Sequence, residues 1–516
     1  MTFNGISMIQ QEVEKDFQEL LERVQSAEAE TCTADVMERH LFEQLLQLGA
    51  HLMQMFLIYR SEIHQREAII NAEGTRVPYY GERKRDYYSI FGKLQCQRPY
   101  FYRRGSGGAS PLDAALGLAE DSYSDFLREV HEELSVYVPY ETTAGMVGRL
   151  LRIRLSKRVQ QHFLSSDAAD VDAYYEQKAA PEPAEEAAIL VAQADGKGVP
   201  IVRPSKTSEK VRLRRGEARS RKKAAMVTSL YTIRPAPRTA DDVLQTLLDA
   251  EKGEEKTPPA RYRPRHKQIR GTMKGKDVAL RRLAQAVAER EGGHIQHRVA
   301  LCDGDRHLQA KLLHYLPDFT LILDFIHAYE YLWLAANRLY KEDDPQRLPW
   351  VMEQTRCLLS SQTTPLIEKL RRLAQSAEHS TSQQKVLRRV ANYFEKNQQY
   401  MDYATYMDKG WPIASGVIEG ACRHFVKDRM ELSGMRWTME GAENLLRLRA
   451  VAINDDWDEY HQFRKQQRQQ RLYQCAWPAA PLFASEIPQL QPASQLVPVE
   501  QSRSEVTSYE QLPLAT

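Results

Sequence analysis

Two periodicities divide the chain. From residue 8 to 72 apolar positions recur every three or four residues: Phe17, Leu20, Leu21 and Val24 mark one helix, and Leu41, Leu45, Leu48, Leu52 and Met55 a second, with Thr33 placed to cap it. The second series has heptad spacing, but it is short, and an ordinary amphipathic core helix explains it better than a zipper. From Gly74 to Arg104 the period falls to that of short strands, in RDYYSIFGKLQCQRPYFYRR. Residues 111 to 163 return to helix, with Arg149, Arg152, Arg154, Lys157 and Arg158 crowded near one end. Buried strands follow at Ile189 to Val202, Met226 to Ile233, Val299 to Gly304 and Phe319 to His327. Helical periodicity then runs from 328 to 406, with helices expected near 345–361, 363–377 and 382–402.

Composition sharpens this division. Ser166 to Glu186 carries seven acids against one Lys and contains two prolines, so 166–187 reads as an acidic linker. The net charge of +2 conceals two basic runs. Residues 203–223 hold ten Lys and Arg against two Glu, and 261–282 nine against one Asp. A solvated face is the bland account of such runs; the other is a field for a polyanion, with Arg214, Arg215, Arg265 and Lys267 as DNA-binding candidates. The Tyr- and Arg-rich stretch has two readings as well, a nucleic-acid surface or a hairpin whose rings pack inward. Six separated cysteines without a CxxC pair argue against a disulfide framework or zinc module. No signal peptide or apolar run of 18 residues is present, so the expectation is a cytoplasmic protein with no membrane partner. Beyond Trp477 the Pro-, Gln- and Ser-rich composition predicts disorder over 476–516.

The candidate chemistry starts with an acid in an apolar strand. ILVAQADGKGVPIV carries Asp195 toward a Gly-rich turn, and VALCDG repeats the pattern with Asp303. SGVIEGACRHFVK reads as a helix with Glu419 in its first turns and Arg423 and Lys427 on the same face. A carboxylate in such a strand is costly to bury without a positive partner. Three of them suit two Mg²⁺ or Mn²⁺ ions acting on DNA phosphodiesters, with Asp195, Asp303 and Glu419 as catalytic residues and ligands. Taken singly, Asp195 or Asp303 is an ordinary turn former before Gly, and Glu419 an ion-pair partner of Arg423. Asp324 and His327 form a DxxH pair that either ligates metal, supplies the second acid, or braces the site through hydrogen bonds. Asp305 also competes for the second acid. Arg436 and Trp437 are further DNA-contact candidates, with Trp437 either stacking on a base or lying in the core.

The order of strands and helices resembles an RNase H-like sheet. VAQADGKGVP, LCDGDRHL, LDFIHAYEYLW and SGVIEGACRHFVKDRMELSGMRWTMEGAENLLRLRA together resemble the blocks of bacterial insertion-sequence transposases of the ISKra type, relatives of the Mutator-like DDE transposases. RDYYSIFGKLQCQRPYFYRR and PLDAALGL resemble the N-terminal region of that family. The resemblance implies an α/β protein: an RNase H-like catalytic core (188–327 and 411–455) with an all-helical insertion (328–410). Before the core it implies a helical region (1–73) and a small β-hairpin and helical DNA-binding region (74–165). It implies binding to terminal inverted repeats of double-stranded DNA, magnesium dependence, and a DDE triad on Asp195, Asp303 and Glu419. Asp324 and His327 match the C/DxxH signature of the wider group. Holding two element ends favours a homodimer or higher oligomer. Two rivals stand beside this reading: a non-catalytic DNA-binding protein descended from a transposase, and a phosphatase using the DxD of ALCDGD.

Overall fold

The computed structural model describes residues 3–71, 73–202, 222–251 and 263–474. Most of the 203–223 run, with Arg214 and Arg215, and the 476–516 tail lie outside the described residues, as do Arg261 and Tyr262. The protein is mixed α/β. Two long helices open the chain, α1 (Phe3–Val24) and α2 (Ala34–Glu62), and Thr33 caps the second through the Val36 N–H. A short pair, β1 (Ile69–Ile70) and β2 (Arg76–Val77), leads into a three-stranded antiparallel sheet of β3 (Tyr79–Ser89), β4 (Gly92–Arg103) and β5 (Gly107–Ala109). Next to its turn the β3–β4 ladder alternates as a half-buried hairpin should, and the phase of burial shifts beyond Gln97. Leu94, Cys96 and Phe101 are buried, while Lys93, Gln95, Gln97 and Tyr102 are exposed. The inward-packing reading of the Tyr- and Arg-rich stretch describes part of it, and beyond Leu94 and Cys96, away from the β3–β4 turn, Tyr80, Arg83, Tyr100 and Tyr102 cluster, with the Arg83 guanidinium 3.5 Å from the Tyr100 ring centre.

The central sheet has five strands: β6 (Ile189–Pro200), β7 (Lys222–Ile233), β8 (Arg265–Thr272), β9 (His297–Cys302) and β10 (Thr320–Leu323). Their order is β10-β9-β6-β7-β8. β6, β7 and β8 run antiparallel to one another, whereas β9 and β10 lie parallel to β6 on its other side. Parallel neighbours need crossovers, and helices Lys276–Arg290 and Arg306–Tyr315 supply them. They cover one face through Leu190, Ala192, Leu280, Leu283, Ala300 and Leu312. Ile189, Val191, Val299, Leu301 and Ile322 point to the other face. There they pack against a block of helices between Phe325 and Asp408, whose longer members, Arg347–Leu359, Thr363–Gln375 and Thr381–Asn397, fall close to the expected spans.

Three expectations change. β6 does not turn after Asp195: it continues through Gly196 to Pro200, paired with β7 throughout, while its pairing with β9 stops at Gln193. The third antiparallel strand, β8, comes from the basic run, where RHKQIRGT puts its charges at an outer edge and buries Ile269, Gly271 and Thr272. Charged edge strands are a common defence against edge-to-edge pairing. The segment 166–187 is not a free linker. Val171, Tyr174 and Tyr175 enter the same core as Phe425, Trp437 and Leu445, and Asp172 takes ion pairs from Arg270, Arg282 and Arg447 at 2.7, 2.5 and 2.8 Å.

The last long helices, Met439–Ile453 and Trp457–Gln469, tie the chain together. Arg464 reaches both Asp125 and Asp167 of the N-terminal helices, at 3.1 and 3.0 Å. Gly271 shows how closely the layers approach. It pairs with Val227, which pairs in turn with Asp195, and a Cβ at 271 would overlap the Phe425 ring beneath the Glu419 segment. Gly271→Ala is expected to lower stability by about 1–3 kcal/mol through overpacking. Phe425→Leu in the same chain should recover much of that loss; equal denaturation midpoints for wild type and Gly271→Ala would contradict this packing.

Candidate metal and strand-end site

Strand alternation decides which way the acids face. On β6, Gln193 and Asp195 continue the row of Ile189 and Val191; on β9, Asp303 continues Val299 and Leu301; on β10, Asp324 continues Ile322. All three acids therefore turn to one face of the sheet. Register brings them to one end of it. Gln193 pairs with Leu301, so Asp195 and Asp303 both lie two residues further on, and Leu323 pairs with Cys302, so Asp324 lies beside Asp303. Neighbouring strands are about 4.8 Å apart.

The Glu419 segment is fastened over this end by two buried side chains. Asp324 is fully buried and caps the Phe325–Leu339 helix by accepting the His327 N–H at 3.1 Å. The same oxygen accepts His327 Nδ1 at 2.6 Å, and the other oxygen accepts the Ser415 N–H at 2.8 Å. Gln193, also fully buried, accepts the Ile418 N–H at 3.0 Å and the Ser229 hydroxyl at 3.1 Å. Ser415 and Ile418 bracket the start of helix Gly416–Ala421, so the position of Glu419 is set from both β6 and β10. Glu419 itself accepts from Ser415 Oγ at 3.2 Å and lies 3.8 Å from His327 Nδ1. The expected alternative, an ion pair with Arg423, is not what holds it.

Past Ala421 the helix widens into a π turn over Cys422–Lys427. An α-helix drifts by about 40° every four residues, and the wider turn offsets that drift. Burial accordingly repeats every four residues, at Ile418, Cys422, Val426 and Met430, while Arg423 and Lys427 stay on the exposed side one and two turns beyond Glu419.

The electrostatics reflect crowded acids. Burial raises the Asp303 carboxyl above its usual range, and Asp195 raises it further against the Asp305 N–H that Asp303 accepts at 3.0 Å. Burial also raises Glu419, and Asp324 adds to it. The thiol of Cys422 is pushed up by burial and then by Asp195, which places the Glu419 segment against β6 as well as β10. His327 is raised to about 9, first by its hydrogen bond to Asp324.

Among the described residues, Asp324, His327 and Glu419 bring ligand atoms within 4.8 Å of one another. Both Asp324 oxygens are already occupied by protein donors, so metal ligation by Asp324 would cost those bonds. Among the described residues, Asp195 accepts the Gly196 N–H at 2.6 Å and also meets the Cys422 thiol, and Asp303 accepts the Asp305 N–H. Asp305 is otherwise engaged: it caps helix Arg306–Tyr315 and pairs with Lys276 at 2.5 Å.

Several DNA-contact candidates lie elsewhere. Arg265 pairs through Thr232 with Leu190, five residues from Asp195 along β6 and so about 17 Å away along the sheet. Its guanidinium donates to the Glu185 carbonyl at 3.1 Å. Lys267 is exposed on that same outer edge, so neither residue flanks the carboxylates. Trp437 is buried, donates from Nε1 to the Met430 carbonyl at 3.0 Å and pairs with Ile201, which removes it from base stacking; the core alternative describes it. Arg436 is exposed next to it. Gln193 and Tyr393 were missed. An uncharged polar residue in VAQAD was the signal for the first. Tyr393, stacked at 3.6 Å on Tyr331, lies against Gly304, and nothing in its helical surroundings announced that contact.

Protein-family models and curated proteins, compared with this chain, give no match. No helix among the described residues is long and apolar enough to cross a membrane.

The His327–Asp324 pair predicts a pH effect. A raised His pKa contributes stability that is fully present below about 6.5, the unfolded value, and is lost as pH rises through about 9. The gap in melting temperature between wild type and His327→Gln should therefore be largest near neutrality or below and close above pH 9. In Asp324→Asn the His327 titration, followed by NMR of histidine-labelled protein, should fall toward its ordinary value; an unmoved titration would show that Asp324 is not its cause.

Proposed function

We propose that the chain is a DNA transposase, which binds the terminal repeats of a mobile element, cuts a strand at each end and joins the freed 3′ hydroxyl to target DNA. The observation carrying this reading is the convergence of Asp195, just past the point where β6 parts from β9, and Asp303, at the end of β9, under a helix whose Glu419 is fixed by Gln193 and Asp324. We read the five-stranded sheet, three antiparallel strands followed by two parallel ones reached through helices, as RNase H-like, and the helical block after β10 as an insertion into it.

The residues fit a divalent ion. Hard carboxylate oxygens suit Mg²⁺ or Mn²⁺, and Asp195 lies close enough to Asp303 to raise its carboxyl. Asp195, Asp303 and Glu419 would hold two ions, which when bound supply an activated attacking oxygen and neutralise charge at phosphorus. Asp324 and His327 act as positioning residues: Asp324 fixes the Ser415 turn and the imidazole, and His327, charged below about pH 9, lies 3.8 Å from the same Glu419 oxygen that accepts from Ser415. Arg423 and Lys427, exposed one and two turns beyond Glu419, would meet phosphates on one side of the cut. The Tyr80, Arg83, Tyr100 and Tyr102 cluster of the hairpin, exposed at Tyr80, Arg83 and Tyr102, would suit the DNA ends. No observation favours the DxD phosphatase, because Asp305 serves as a helix cap.

The test is nicking of DNA carrying the segments that flank the gene, with Mg²⁺ or Mn²⁺, using variants that still bind that DNA. Asp195→Asn, Asp303→Asn and Glu419→Gln should fall to the uncatalysed background. Asp324→Asn should lose about 10- to 100-fold, the usual cost of removing a group that orients a ligand. Full activity in Asp303→Asn with none in Asp324→Asn would move the second acid to 324. DNA binding by wild type without nicking would favour a non-catalytic binding protein.

A further inference from the structure

α1 and α2 form an antiparallel helical hairpin with two unlike faces. Their mutual contact is polar at its centre, where Asp16 accepts Gln47 Nε2 at 3.2 Å and His51 Nδ1 at 2.7 Å. One face of α2 packs onto the β3–β4 hairpin through Ala50, Met53 and Leu57 against Leu94 and Cys96. At about 100° per residue, Leu45, Leu52, Tyr59 and Ile63 lie roughly 120° to 160° round the helix from Leu57. Phe17, Leu21 and Val24 of the antiparallel α1 turn to that same open side by the same rule. None of the Leu41, Leu45, Leu48, Leu52 and Met55 series is fully buried, so the ordinary core helix expected from the sequence does not describe α2.

The open face has order. Phe42, Leu45, Gly49, Leu52, Phe56, Tyr59 and Ile63 follow one another at steps of 3, 4, 3, 4, 3 and 4. Its six side chains are 41% to 57% exposed. At Gly49, where the seam lacks a side chain, the Phe91 ring of the β3–β4 turn fills the space. We propose that this face is the contact between two copies of the chain, each giving its helical hairpin to a four-helix bundle. Alternating steps of three and four are the spacing by which one helix seats its side chains between those of another like it. With the exposed apolar side chains of α1, the seam offers on the order of 900 Å² per copy, close to the roughly 800 Å² each partner gives to a standard interface. A monomer seldom leaves such a patch open. Charge excludes a nucleic acid here: residues 1–62 hold eleven Asp and Glu against four Lys and Arg. A two-fold pairing also closes on itself, which a self-matching stripe requires.

The test is the mass of the full chain by light scattering at micromolar concentration. Wild type should run at twice 59.5 kDa. Leu45→Glu/Leu52→Glu and, separately, Tyr59→Lys/Ile63→Lys should run as single chains, with the dissociation constant raised about 100-fold or more by charges buried without partners. These positions are exposed in the single chain, so circular dichroism and melting temperature of the separated variants should match a folded protein. Should a variant unfold, Leu52→Cys in a Cys32→Ser background decides instead, by oxidative cross-linking of copies through residue 52 or a neighbouring seam position. A wild type that is monomeric at every concentration would assign the face to a different partner and overturn the proposal, as would double variants that keep the dimer mass.

Discussion

The arrangement depends on one buried carboxylate. Asp324 has no access to solvent and spends its oxygens on the Ser415 N–H, the His327 N–H and the His327 ring. An acid in that position is tolerable only because every lone pair facing the protein meets a donor. The bond to Ser415 spans 91 residues and passes over the whole helical block between β10 and the Glu419 helix. The block is thereby free to pack its own core against the sheet without setting where Glu419 lies, because the chain leaves from Asp324 and returns to it. Gln193 adds the second anchor from β6, and Phe425 and Gly271 set the depth at which the helix rests.

The same economy governs charge. Acids that face inward in the N-terminal half and the 166–187 segment are matched by arginines from the end of the chain: Asp125 and Asp167 by Arg464, and Asp172 by Arg447 as well as by two arginines near β8. The crowded carboxylates at the strand ends are less fully matched, as is Glu132, buried with no hydrogen-bond donor to either oxygen among the described residues. Burial and neighbouring acids raise Asp303 and Glu419, and among the described residues one backbone donor each serves Asp195 and Asp303, with the Cys422 thiol beside Asp195. Carboxylates held together with so little protein compensation are the arrangement a divalent cation stabilises.

The sequence made the apolar strands, the long helices after β10 and the acid at the end of β9 legible, since each follows a local period or a break in one, whereas Asp195 lies within β6, which runs on to Pro200. Register and alternation then carried Asp195, Asp303 and Asp324 to a common face, which no local pattern encodes. β8 was hidden because an edge strand can carry its charges outward, so RHKQIRGT looks like a charge run rather than a strand. The 166–187 segment misled for the opposite reason: its acids suggested solvent, yet Asp172 and Glu186 are matched by arginines and its tyrosines are core. Trp437 could be read either way from MRWT, and only the burial against Tyr140 and Met430 decides it. The π turn that keeps Arg423 and Lys427 in line with Glu419 has no sequence signature at all.

The most direct measurement is anomalous diffraction from crystals grown with Mn²⁺. Manganese is expected between the carboxylates of Asp195 and Asp303 and at Glu419, with Asp324 still bonded to Ser415 and His327. No manganese at the strand ends, or one ion ligated by Asp324 and His327 with Asp195 and Asp303 untouched, would contradict that placement.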